Sequence, residues 1–96
     1  MHETDTPTVQ ERETVIPNKE GLHFRPIMQF VDLASRFSSS INLRCDDRGA
    51  DASSPMELLM LMATQGTKVT VSARGADAGD ALDALVGLID AGFNEE

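Results

Sequence analysis

The spacing of apolar residues along the chain alternates between strand-like and helix-like periods and predicts seven elements. Apolar and polar residues alternate over 41–45 and 69–74, as they do in half-buried strands, and shorter strand segments lie beside turn residues at 12–16 and 50–52. Apolar residues recur at helical spacing in three longer segments. The predicted helices run from 24 to about 36, from 55 past 63 to a stop at Gly66, and from 78, after a capping Asp77, to Gly92.

The order strand, helix, strand, strand, helix, strand, helix indicates an α+β domain. Strands that alternate in this way pair antiparallel, so we expect a four-stranded antiparallel sheet with one wet face and three helices covering the other face. Residues 1–11 are polar and contain Pro7, which indicates a flexible tail ahead of a single domain over 12–96. A chain of 96 residues suffices for one modest core and is too short for a multi-domain enzyme.

The charge and composition exclude several classes of partner. A formal net charge of -8 and a pI near 4.5 argue against nucleic acid and anionic membranes, because both select basic surfaces. The sequence shows neither an apolar run of membrane-spanning length nor a signal-peptide pattern, so we expect a cytoplasmic protein without membrane insertion. Cys45 is the single cysteine, which excludes an internal disulfide and predicts a buried thiol. No residue near His2 has metal-ligand spacing, and no metal site is predicted.

The segment Gly21–Pro26 places a histidine and an arginine at a helix start. His23 falls at the N-cap, Arg25 lies in the first turn, and Pro26 occupies a position where a backbone N–H has no intrahelical partner. A helix N-terminus favours phosphate through its free N–H groups and its dipole, and an imidazole adds a nucleophilic nitrogen. The segment therefore predicts a histidine that accepts and donates a phosphoryl group, although a histidine that only caps the helix would fit the same position.

Gly21-Leu22-His23-x-Arg25-Pro26 resembles the active-site motif of HPr, the histidine phosphocarrier family of the bacterial phosphoenolpyruvate-dependent phosphotransferase system. The resemblance runs without a gap from Arg12 to the end of the sequence. It is specific, because the motif agrees together with a serine, Ser54, thirty-one residues after the histidine. Other positions that match the family's pattern are Phe30, Val31, Ala34, Leu58, Leu59, Met60, Leu61, Gly66 and Gly75.

The resemblance implies a fold and a function. The fold would be an HPr-like open-faced β-sandwich, with a four-stranded antiparallel sheet covered on one face by three helices. His23 would take a phosphoryl group on Nδ1 from the phosphohistidine of enzyme I and donate it to a histidine of a IIA protein or domain, while Arg25 holds the group. Such a protein is a carrier rather than an enzyme, is expected to be a monomer and needs no cofactor.

Several residues near the motif depart from the family's pattern. Phe24 enlarges the apolar rim beside the histidine, and Asp32 and Glu57 stand where many sugar-system carriers have basic or neutral residues. Enzyme I and IIA proteins usually meet these positions with acidic groups, so charge pairing with partners must differ here. The stretch 91–96 looks closer to the nitrogen-related NPr branch, which leaves sugar uptake and nitrogen-related regulation both open.

Ser54 has a capping and a regulatory interpretation. As the N-cap of the second helix it precedes Pro55 at the first position, and Glu57 would complete a capping box. The family resemblance aligns it with a serine that an HPr kinase/phosphorylase modifies in some bacteria. Because Pro55 offers no N–H and Glu57 would repel a phosphate, capping is favoured. The alternative function for the chain is a regulatory binding module whose target affinity is switched by phosphorylation of His23 or Ser54.

Methionine and leucine dominate the second helix and also have two interpretations. At least half of a set of four is expected in the core, the set being Met56, Leu59, Met60 and Met62. Methionine is also adaptable at surfaces that bind several partners in turn. A carrier must bind donor and acceptor through one face, so we expect an exposed partner-binding patch around the histidine, formed by Phe24, Met28, Met56 and Met60.

Overall fold

The computed structural model describes residues 8–95, and over this range it contains four strands and three α-helices in the predicted order. The strands are β1 (Val9–Val15), β2 (Ser40–Cys45), β3 (Arg48–Asp51) and β4 (Lys68–Arg74). The helices are α1 (Phe24–Ala34), α2 (Pro55–Met60) and α3 (Ala78–Asp90), and a short left-handed turn, Gly92–Asn94, follows α3. No helix of this part of the chain is both long and apolar enough to cross a membrane.

The four strands form one antiparallel sheet in the spatial order β1-β4-β2-β3. Leu43 of β2 lies opposite Val71 of β4 and opposite Ala50 of β3, and all three side chains are buried. The neighbouring pair, Asn42 and Ser72, points to the open face because side chains alternate along a strand. All three helices contribute to the core on the opposite face, and their fully buried side chains include Phe30, Leu58, Leu82, Leu85 and Ile89. The sheet, with helices on one face only, is the predicted fold.

β1 is attached to the rest of the fold chiefly by polar groups. None of its seven residues is buried. Arg12 forms an ion pair with Asp83 of α3 at 2.5 Å, and the Thr14 hydroxyl donates a hydrogen bond to the Asp90 carboxylate. The first fully buried side chain belongs to Ile16, just after the strand. The core-facing side of β1 thus meets α3 through charges and hydrogen bonds rather than through apolar packing.

Several element boundaries differ from the sequence prediction. β1 begins at Val9, so residues 9–11 lie in the sheet instead of the predicted tail, and residues 1–7 of that tail lie outside the described part. α1 ends at Ala34 instead of near 36. α2 ends at Met60, because Met62 adopts a left-handed φ of 54° and cannot continue a right-handed helix.

Asp77 does not cap α3, contrary to the prediction. Its carboxylate makes no capping hydrogen bond and instead accepts from the backbone N–H groups of Ser38 and Ser39, at 2.8 and 3.0 Å. The Ser39 hydroxyl also donates to it, and these bonds, led by the one from that hydroxyl, hold the pKa of Asp77 below its usual range. Since the pKa is lowered by folding, this stabilisation is present above the unfolded-state pKa and is lost as the pH falls through the folded-state value.

Cys45 is buried at the end of β2, as predicted. Burial, with a further contribution from the Asp46 carboxylate, raises the pKa of its thiol above the usual value. The thiol therefore packs as a small apolar group. Over residues 8–95, no three histidine, cysteine, aspartate or glutamate side chains converge in an arrangement suited to a metal ion, and His2 lies outside that range.

Candidate functional site

His23 is the N-cap residue of α1, as predicted, and the preceding turn brings it there. Its backbone is extended, with φ −98° and ψ −170°, whereas Gly21 has a φ of +71°. A Cβ on Gly21 would lie 2.6 Å from the carbonyl oxygen of Ala63, so both the dihedral angle and the close approach of the backbone require glycine. The imidazole is consequently presented where α1 meets the segment that follows α2.

Two backbone N–H groups at the start of α1 have no helical acceptor. The first helical hydrogen bond runs from the Ile27 N–H to the His23 carbonyl at 3.0 Å. The N–H groups of Phe24 and Arg25 therefore precede the helical ladder, and Pro26 carries no N–H. The His23 side chain does not cap them. This end of α1 offers two donors and the positive end of the helix dipole to an anion beside the imidazole.

Glu95 contacts His23 directly, a contact that no sequence pattern predicted. Its Oε2 lies 2.9 Å from the imidazole Nε2, and its Oε1 accepts a hydrogen bond of 3.0 Å from the Asn18 side-chain amide. The side chain of Glu95 is 17% exposed and that of His23 is 36% exposed. The two residues are 72 positions apart in the chain, so no local motif joins them.

Arg25 is exposed and lines a polar cavity that it shares with Glu95, the residue in contact with the His23 imidazole. The cavity has a volume of about 440 Å³, and its other lining residues are Lys19, Glu20, Asn94 and Glu95. Within the described part of the chain, the guanidinium takes part in no ion pair or hydrogen bond. Its five N–H donors are therefore available to an anionic group bound there.

Ser54 caps α2 as predicted, but Glu57 does not complete the capping box. The Ser54 hydroxyl accepts a hydrogen bond of 3.2 Å from the Glu57 N–H. The Glu57 carboxylate accepts instead from the Asp51 N–H, at 3.0 Å, and the Asp51 carboxylate accepts from Ser53. The hydrogen bond from the Ser53 hydroxyl is the main cause of a lowered pKa at Asp51. In the sequence, Ser54 thus lies between two residues with carboxylates, Asp51 and Glu57, and is followed by a proline without an N–H.

The predicted patch residues are all exposed: the exposed fractions are 72% for Phe24, 39% for Met28, 67% for Met56 and 64% for Met60. Leu59 and Met62 are exposed as well, by 48% and 74%, so the expectation that half of the α2 set lies in the core is wrong. Leu58 and Leu61 fill the core in their place, because α2 is too short to bury more than one narrow edge. We call the exposed set the apolar patch, namely Phe24, Met28, Met56, Leu59, Met60 and Met62.

Comparison with known proteins places this site in a family. The family described as PTS HPr component phosphorylation site matches residues 10–91, which include the candidate histidine and arginine. The chain belongs to the HPr family. Proteins of this family act in the phosphotransferase system with enzyme I and IIA proteins.

Individual HPr relatives agree with this assignment in sequence and in structure. The chain is 38% identical over 88 residues to the phosphocarrier protein NPr of Proteus mirabilis, covering 91% of this chain and 98% of that one. It is 42% identical over 85 residues to the phosphocarrier protein HPr of Pseudomonas putida, covering 88% and 94%. The crystal structure of HPr from Thermoanaerobacter tengcongensis matches with a TM-score of 0.87 at 44% identity, covering 91% and 98%. The chain is therefore a phosphocarrier of the phosphotransferase system and a carrier rather than an enzyme.

Proposed function

We propose that His23 is the phosphorylated residue of this carrier, and that its Nδ1 takes the phosphoryl group from enzyme I and passes it to a histidine of a IIA protein. The supporting observation is the position of the imidazole at the N-cap of α1, beside the unused N–H groups of Phe24 and Arg25. A phosphoryl group on that imidazole would be met by these donors and by the Arg25 guanidinium.

The proposed transfer exchanges one nitrogen partner of phosphorus for another. The Nδ1 lone pair forms the new N–P bond, while the N–P bond to the donor histidine breaks and its electron pair stays on the donor nitrogen. Negative charge on the three phosphoryl oxygens is the main electrostatic demand of such a step. Arg25 has no competing partner in the described chain, so it can meet this charge without breaking an existing ion pair.

Incubation with phosphoenolpyruvate, Mg²⁺ and an enzyme I of the sugar branch or of the nitrogen-related branch tests the proposal. We expect a single phosphoryl group per chain, labile in acid and stable in base, and located by peptide mapping on His23. The enzyme I that phosphorylates the protein at the higher rate would show whether it belongs to the sugar branch or to the nitrogen-related branch. A label on another residue, or none with either enzyme, would contradict the proposal. The expected monomeric state and cytoplasmic location stay predictions.

We assign the apolar patch to docking of enzyme I and of the IIA partner. The patch residues belong to α1, which begins beside His23, and to α2 with the two residues that follow it, and these two helices pack against each other. The patch combines flexible methionines with one aromatic side chain, which suits a surface that binds two partners weakly in turn. Among its acidic neighbours, Asp32 is paired with Arg36 at 3.0 Å and Glu57 is bound to the Asp51 N–H. The negative charge of Asp32 is thus partly neutralised by Arg36, and the carboxylate of Glu57 already accepts a hydrogen bond within the protein.

Substitutions at Met62 distinguish an effect on partner docking from an effect on the stability of the fold. Its left-handed φ of 54° costs an L-residue free energy, whereas its side chain is 74% exposed and contributes little to the core. Met62→Gly should stabilise the fold by about 1 kcal/mol, which raises the Tm by roughly 4–8 °C, and should also raise the KM of enzyme I for the carrier. Met62→Ala is the matched control: it should raise the KM without raising the Tm. An unchanged KM in both variants would exclude Met62 from docking.

Ser54 is expected to be a poor substrate of an HPr kinase/phosphorylase, which weighs against the regulatory alternative. A phosphate on its hydroxyl would replace the cap to the Glu57 N–H and would lie close to the carboxylates of Asp51 and Glu57. Pro55→Ile with Glu57→Gly should increase phosphoserine formation several-fold, as measured by mass spectrometry after incubation with kinase and ATP. The single change Glu57→Gln controls for charge alone. Rapid, complete phosphorylation of the unmodified protein would show that Ser54 is a regulatory site.

A further inference from the structure

The carboxylate of Glu95 approaches the imidazole of His23 on the side opposite to Nδ1. The distance from Oε2 to Nε2 is 2.9 Å, and the Glu95 side chain is largely buried. A carboxylate can only accept a hydrogen bond, and a neutral imidazole carries a single N–H. The contact therefore favours the tautomer with the proton on Nε2 and the lone pair on Nδ1.

Asn18 holds the Glu95 carboxylate from its other side. The Nδ2 group of Asn18 donates both to Glu95 Oε1, at 3.0 Å, and to the carbonyl oxygen of Gly21, at 2.7 Å. Asn18 is 7% exposed, and a reversed amide would set its oxygen against two acceptor oxygens. Its orientation is consequently fixed, and one carboxylate oxygen of Glu95 is committed to it while the other faces His23.

The backbone before Glu95 is anchored in the core. Gly92, Phe93 and Asn94 have left-handed φ angles of 66°, 55° and 61°, and the Phe93 side chain is 1% exposed. Asparagine adopts a left-handed φ readily, but at a bulky residue such as Phe93 this angle persists only where packing determines it. The burial of Phe93 thus turns the chain back after α3 and delivers Glu95 to the imidazole.

We propose that Glu95, buttressed by Asn18, is a positioning residue that keeps the proton of the His23 imidazole on Nε2 and so presents Nδ1 as the nucleophile. The inference rests on the proposed function of His23. With the proton on Nε2, the Nδ1 lone pair forms the N–P bond, the donor N–P bond breaks towards the donor nitrogen, and no proton changes place. With the proton on Nδ1, the same step would first require a proton to leave that atom.

Glu95→Gln and Glu95→Ala distinguish this role from simple packing. In Glu95→Gln the side-chain carbonyl must face the Asn18 N–H donor, so the NH₂ group faces Nε2 and favours the proton on Nδ1. Glu95→Ala imposes neither tautomer. We therefore expect transfer from enzyme I to be fastest in the wild type, slower in Glu95→Ala and slowest in Glu95→Gln, with about a tenfold loss or more in the last. A packing role predicts the opposite order, because glutamine is closer to glutamate in shape than alanine is.

The ¹⁵N chemical shifts of the two imidazole nitrogens measure the tautomer without any phosphotransfer. At a pH of about 9, where imidazoles are neutral, the wild type should show the proton on Nε2, Glu95→Gln should show it on Nδ1, and Glu95→Ala should show a mixture. Glu13→Gln, which changes an exposed carboxylate on β1, should resemble the wild type in both measurements. The same tautomer in all proteins, or a rate for Glu95→Gln at or above that for Glu95→Ala, would overturn the inference. Because the shifts are read on unphosphorylated protein, they judge Glu95 even if His23 proves not to be the phosphorylated residue.

Discussion

His23→Ala is expected to abolish acid-labile phosphorylation of the protein by enzyme I completely. Alanine has no nitrogen to form the N–P bond, and no neighbouring nucleophile shares the helix-start position of the imidazole. The chain contains two histidines, so His2→Ala is the matched control and should be labelled to the wild-type extent. The measurement is incorporation of label from phosphoenolpyruvate, followed by acid treatment.

The loss in His23→Ala should reflect chemistry rather than unfolding. The imidazole is 36% exposed and its one side-chain partner in the described structure is Glu95, so removal should leave the circular dichroism spectrum and the cooperative melting transition in place. Acid-labile label that persists on a folded His23→Ala protein would contradict the assignment of His23.

Arg25→Glu should slow phosphoryl transfer by roughly 10²- to 10³-fold or more, since it removes a preorganised positive charge and places a negative one beside the phosphoryl group. Arg25→Lys should fall between the wild type and Arg25→Glu, because an ammonium is a point charge and cannot reproduce the planar fork of a guanidinium. The rates are best measured as single turnovers with phosphorylated enzyme I in excess.

Stability provides the control for Arg25. The side chain is exposed and unpaired within the described chain, so Arg25→Glu should change the free energy of unfolding by no more than about 0.5 kcal/mol. Arg74→Glu applies the same change in charge on β4 and should leave the transfer rate nearly unaltered. Equal losses of rate in these two variants would show that net charge matters and that the position of Arg25 does not.

The fold was predictable wherever one face of an element is apolar. The alternation of Ile41, Leu43 and Cys45 identified a strand whose core face is now seen to be buried, and Ser54 followed by proline marked the start of α2. Prediction failed where tertiary contacts decide the outcome. The core face of β1 is polar, so its first residues looked like a tail, and the end of α2 depends on a left-handed φ at a methionine that carries no sequence signal for it.

The candidate site was predictable where it is local in sequence. His23 and Arg25 lie within one motif, and the consequences of a helix N-terminus follow from their spacing alone. The contact of Glu95 with His23 was not predictable, because it depends on the burial of Phe93 and on the orientation of Asn18. A pattern of residue types shows neither of these. The prediction that Asp77 caps α3 was wrong for a related reason. Its carboxylate accepts hydrogen bonds from the N–H groups of Ser38 and Ser39, which are distant in sequence, instead of from the N–H groups of α3.

The polar attachment of β1 has a consequence for local opening of the sheet. β1 lies at the edge of the sheet, and little apolar burial accompanies its pairing with β4. The native state can therefore release β1 locally without exposing the apolar core. At its end, Ile16 exchanges backbone hydrogen bonds with Gly66 and Thr67, at 2.8 and 2.9 Å. These two hydrogen bonds confine the local opening to β1 and leave the start of α1, which carries the imidazole, undisturbed.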